Sequence, residues 1–115
     1  MKYPTPDLYD RYTIELLKNE RAAASNQPHI DILKAEIDKR GLVQQFIDGL
    51  KEANGNIWDL ESDIRKGKGG ELGLEEVGRR ALKIRQLNNL RIVVKNEVAN
   101  HFGEFKENKY DHASE

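Results

Sequence analysis

Apolar residues recur every three or four positions through most of the chain. The clearest run is Val43, Phe46, Leu50, Ala53, Ile57, Leu60 and Ile64, which steps by three and four without a miss. Such spacing places all seven on one stripe of a helix that packs along its length. Upstream, Ile30, Leu33 and Ile37 follow the same rule in a different phase, and Pro28 stands where a first helical residue is favoured. The two phases predict a long helix over about 28–66 with a bend or a packing switch near Gly41, where the pattern fits a bent helix and a helix broken in two alike. Unbroken, it would reach about 58 Å at 1.5 Å per residue. That exceeds a compact domain of this size, so the helix should extend beyond its partners or pack in a dimer.

Two further helices flank it. Thr5 and Pro6 read as an N-cap and a first helical position, followed at helical spacing by Leu8, Tyr9, Tyr12, Leu16, Leu17 and Ala24. This predicts a helix over about 6–24, ended by Ser25, Asn26 and Gln27 before Pro28. Leu74, Val77, Ala81, Ile84, Leu87, Val94, Val98 and Phe102 predict another over 72–102, with Gly103 as its C-terminal cap. Gly67, Lys68, Gly69 and Gly70 form the connecting loop, and 104–115 is a charged arm that frays at its end. The expected fold is therefore all-α, a single domain over 1–115. It is a three-helix arrangement with a long central helix in an antiparallel helical hairpin.

A turn centred near Gly70 pairs residues across the hairpin at numbers that add to about 141. Ile57 then faces Ile84, and Val43 faces Val98. Asn54 falls opposite Leu87 and Asn88, Leu50 opposite Arg91, Glu61 near Arg80, and Ile47 near Val94 and Lys95. Asn54, Asn88 and Arg91 would form a polar layer in or beside the seam. Such a layer either fixes register at some cost in stability or lines a pocket between helices. Trp58 lies beside the seam, as an anchor whose indole N–H needs a partner.

Composition narrows the classes. The 115 residues contain 19 basic and 20 acidic side chains and no cysteine, with 37% hydrophobic residues. Balanced charge argues against a nucleic-acid clamp, which shows as a basic excess; the stretch Arg79, Arg80, Lys83 and Arg85 is weak evidence for an acidic partner. The absence of cysteine removes thiol chemistry and disulfides, leaving oligomerisation as the natural supplement to a thin core. No run of about 18 apolar residues offers a membrane span, and the polar N-terminus lacks a secretory core, so a cytoplasmic location is expected. Asp59 and Asp63, and Glu71 and Glu75, are pairs spaced by four that share a helix face as a magnesium site requires. However, Arg79, Arg80 and Lys83 face the first pair, which favours salt bridging. His29, His101 and His112 have no metal spacing, and the glycine loop lacks the phosphate-loop pattern. No metal and no cofactor are expected.

These residues resemble a helical family of bacteria and phages to which no activity is attached. Asp10-Arg11-Tyr12-Thr13-Ile14 with Lys18 resembles its opening DKLTI and lysine. Asn54 with Trp58-Asp59-Leu60-Glu61-Ser62-Asp63-Ile64-Arg65 resembles its asparagine and WDIEDDIR. Asn88, Arg91, Lys95 and Glu97 match its NDxRxxxK-type helix, and Glu107-Asn108-Lys109-Tyr110 resembles its EEKSY. Ser62 and Asn89 stand where the pattern has acids, and Tyr12 where it has an aliphatic residue, which weakens any metal site built there. The resemblance implies a shared helical fold and supplies no mechanism.

The expectation is a non-enzymatic helical assembly or regulatory protein acting as a homodimer or higher homo-oligomer. The alternative is a phosphate- or nucleotide-binding protein, Mg-dependent hydrolysis included. The candidate polar cluster for either is Asn54, Trp58, Glu61, Asp63, Arg65, Asn88, Arg91 and Lys95.

Overall fold

The computed structural model describes residues 2–66 and 73–104. Among these, every regular element is a helix: α1 (Thr5–Ala22), α2 (Gln27–Arg40), α3 (Gln44–Lys66) and α4 (Leu74–Phe102). The glycine loop and the segment 105–115, including the EEKSY-like residues, lie outside the described residues.

Four helices replace the three expected, because the chain stops being helical at 41–43. Gly41 takes φ 118° and ψ 110°, a conformation that only glycine adopts at low cost. The break frees backbone groups that a bent helix would have kept paired, and one side chain from α1 takes them up. The hydroxyl of the fully buried Tyr9 donates to the Gly41 carbonyl at 2.6 Å and accepts from the Val43 N–H at 3.0 Å. The change of phase in the apolar pattern is thus a change of helix. The longest dimension, 48 Å, is shorter than the unbroken helix would be.

The break lets both stripes serve one core. Ile30, Leu33 and Ile37 of α2 and Phe46, Ile47 and Leu50 of α3 pack with Leu8, Tyr9 and Tyr12 of α1 and Val98 of α4. The Tyr9 ring meets Phe46 edge-on at 6.3 Å and Phe102 at 6.0 Å. α1 touches all three other helices, and α3 and α4 form the most extensive pair. The core occupies one end of that hairpin. Towards the loop only α3 and α4 continue, with Ile57 and Leu87 buried and Leu60, Ile64, Val77 and Ile84 partly so. The molecule is therefore a body with a two-helix arm.

The start of α1 and the end of α4 are tied together. α1 starts one residue earlier than expected: Pro4 occupies the cap position, and Thr5 and Pro6 are already helical. The Thr5 hydroxyl turns instead to the carboxylate of Glu104 and accepts from Arg40 at 3.1 Å, while the Thr5 N–H donates to the same carboxylate at 2.7 Å. An acid just beyond α4 thus satisfies an open donor at the positive end of α1. Glu104 is delivered there by Gly103, which caps α4 in the left-handed conformation at φ 69°.

Candidate functional site

The polar residues inside the body converge on a carboxylate from α1. Asp10 is 6% exposed and Asn54, opposite it on α3, is 7% exposed. The Asn54 amide donates to Asp10 Oδ1 at 2.9 Å and to the Thr13 hydroxyl oxygen at 3.0 Å. That hydroxyl in turn donates to the Asp10 carbonyl at 2.8 Å. From α4, Arg91 grips the carboxylate with two donors, Nε to Oδ1 at 2.8 Å and Nη2 to Oδ2 at 2.5 Å. Its Nη1 reaches Asn88 Oδ1 at 3.3 Å. One turn on, the buried Lys95 pairs with Asp7 at 3.0 Å.

Burial by itself pushes the Asp10 carboxyl up. The Arg91 and Asn54 hydrogen bonds, with the charges of Arg91 and Lys95, outweigh this and hold it below its ordinary value. The group is an ionised carboxylate whose oxygens are both engaged by donors from two other helices. Bidentate guanidinium pairing is directional as well as strong. The arrangement therefore joins α1, α3 and α4 in one register.

A second buried carboxylate holds the α1–α2 turn. Glu15 accepts from the Asn26 amide at 2.9 Å on both its carbonyl and its side chain, with Lys18, Arg11 and His29 around it. Burial raises its pKa, and the Asn26 hydrogen bond with the charges of Lys18 and His29 brings it below the ordinary value.

The eight residues singled out in the sequence divide into two groups. Asn54, Asn88, Arg91 and Lys95 lie around Asp10 and Asp7. Trp58 is partly buried one turn along α3 from Asn54, while Glu61, Asp63 and Arg65 are exposed on the arm. The hairpin register lies about two residues further along than expected. Arg80 therefore meets Asp63, at 2.8 Å, in place of Glu61, and Val94 packs on Gly49. Asp59 is taken by Arg21 of α1 at 2.6 Å, so both acids of that pair are in salt bridges. Among the described residues no group of three or more histidine or acidic side chains is gathered as a metal site needs. A shallow groove between α1 and α3, lined by Glu20, Arg21, Asp48, Lys51 and Glu52, is spanned by the Lys51–Glu20 pair at 2.9 Å.

Nothing in the sequence pattern singled out Asp7 or Glu15, and Asp10 and Thr13 were marked only by the resemblance. Pro6, Asp10, Thr13 and Leu17 step by four, three and four, a second stripe of α1 beside the one marked by Tyr9, Tyr12 and Leu16. That spacing was the available signal, and its polar members hid it. No family model matches this chain, and neither does any curated protein or solved structure. No helix among the described residues is long and apolar enough to cross a membrane.

Proposed function

We propose that the chain is a non-enzymatic helical assembly or regulatory protein that acts in the cytoplasm as a homo-oligomer. The observation that carries this reading is on the outer face of α4, where Leu82, Leu90 and Val93 are 58%, 55% and 43% exposed. Single exposed aliphatic residues are ordinary, but an aligned set on one helix face is the usual mark of an interaction surface. Support also comes from the interior. The buried Asp10 and Lys95 are each paired with a charge on another helix, which suits a rigid scaffold.

The resemblance drawn on the sequence fits the same reading. Three of its segments contribute Asp10, Asn54 and Arg91, so what such sequences would share is the joint between helices. Light scattering behind size exclusion, at two protein concentrations, tests the proposal. A mass of two or more chains that falls on dilution is the expected result. A single-chain mass at both concentrations would overturn it.

A further inference from the structure

Six exposed residues on α4, Arg79, Leu82, Gln86, Leu90, Val93 and Glu97, follow one another at spacings of three and four. They form a continuous stripe of about 27 Å along the helix, turned away from α1 and α3. The stripe is uncharged in its middle, with Leu82, Leu90 and Val93 around Gln86, and charged at its ends, with a cation at one end and an anion at the other. We infer that this stripe binds the same stripe of a second copy of the chain, with the two α4 helices antiparallel.

The polarity follows from the charges. In the half of α4 nearer the loop, the exposed bases Arg79, Lys83 and Arg85 outnumber the exposed acid Glu75. In the other half the basic residues turn inward, Arg91 onto Asp10 and Lys95 onto Asp7. Glu97 is left as the exposed charge there. A parallel pair would set the basic half on itself and Glu97 beside Glu97, whereas like charges in register are destabilising. An antiparallel pair sets Arg79 beside Glu97 of the second copy at both ends of the contact. The same alignment places Leu82 against Val93, and Gln86 against Leu90, in each half. The stripe is thus its own complement under a two-fold axis near residue 88, as an isologous interface requires. In the single chain Arg79 is held by Glu75 at 3.2 Å and by Glu76 at 2.6 Å. Glu76 also holds Arg80 at 3.1 Å, so Arg79 can turn outward without leaving that acid unpaired.

The inference rests on the homo-oligomer reading and adds the surface and the direction to it. The chain has no cysteine, so introduced thiols report without background. Leu82→Cys and Val93→Cys variants are oxidised separately and as a mixture, with the mass of the unmodified chain measured alongside. The expected result is a cross-linked heterodimer in the mixture and little or none in either variant alone. Leu82→Lys should weaken dimerisation about tenfold or more at unchanged helicity by circular dichroism. Arg79→Glu should weaken it too, and adding Glu97→Arg should restore it. A dimer that cross-links in each variant alone is parallel and overturns the inference. A dimer that does not cross-link and ignores Leu82→Lys uses another surface, which overturns the inference and leaves the homo-oligomer reading standing. A strict monomer removes both.

Discussion

The Asp10 carboxylate is taken out of water by the same neighbours that keep it charged. Removing a buried partner leaves the other charge uncompensated, which typically costs about 3–5 kcal/mol, whereas replacing both partners by apolar residues of similar shape is often neutral. Asp10→Ala is accordingly expected to lower unfolding free energy by about 3 kcal/mol, near the bottom of that range because Arg91 keeps some contact with water. The double variant Asp10→Leu with Arg91→Met is expected to recover most of the loss. Urea denaturation of the three proteins measures both, and a double variant as weak as the single one would contradict this account. Acid should act through the same group. Asp10 and Glu15 both have folded-state pKa values below their ordinary ones. The unfolded chain therefore takes up protons first as pH falls. The stability they contribute is complete above the ordinary carboxylate range and is lost as pH drops through their lower folded values. Urea midpoints from about pH 7 down to about pH 3 should fall in the acid limb, and Asp10→Asn should flatten that limb. At this scale the sequence was informative wherever a polar residue interrupts a long apolar run, as at Asn54 and Arg91. Only the resemblance marked Asp10, because a helix with three neighbours is buried on more than one stripe while periodicity reveals only the apolar one.

The joint between α2 and α3 is where one helix becomes two, and it depends on a residue from a third. Without the Tyr9 hydroxyl, the Gly41 carbonyl and the Val43 N–H would lose their protein partner at a partly exposed joint, and a lost hydrogen bond of this kind costs about 0.5–1.5 kcal/mol. Tyr9→Phe is expected to destabilise by about that amount with helix content unchanged. Gly41→Ala tests the backbone separately. An added Cβ would find Phe102 at an ordinary 3.7 Å, so any loss comes from the strained φ, of order 1–3 kcal/mol. Thermal or urea unfolding followed by circular dichroism reads both variants. If Gly41→Ala were as stable as the parent, the chain at 41–43 would have a helical alternative of equal energy. The position of this joint was legible as a change of phase between Ile37 and Val43. That it is a break was not, because the deciding contact comes from Tyr9, more than thirty residues away in the chain. The same distance hid the pairing of Glu104 with Thr5 and the shift in hairpin register, since loop geometry alone locates a register only to within a residue or two.

The whole molecule divides by the number of layers around each segment. In the body, Leu8, Leu33, Ile37, Leu50 and Val98 are fully buried where four helices meet. In the arm, α3 and α4 have only each other, and most of their apolar side chains keep some contact with water. Local opening free energy follows buried contact density. Amide exchange should therefore be slowest at 46–54 and 94–99 and through α1, and faster at 58–66 and 74–86. The first turn of α1 and the last turn of α4 should be better protected than helix ends usually are, because the Glu104 carboxylate bonds both the N–H and the hydroxyl of Thr5. Exchange measured against protein concentration then links this scale to assembly. An antiparallel pair centred near residue 88 would cover α4 from about 79 to 97 and leave the outer face of α2 as it was. Protection should rise with concentration in the first segment and stay level in the second. Equal protection of arm and body in the dilute protein would instead mean that the two-helix arm is as stable as the four-helix core, and the division proposed here would fail.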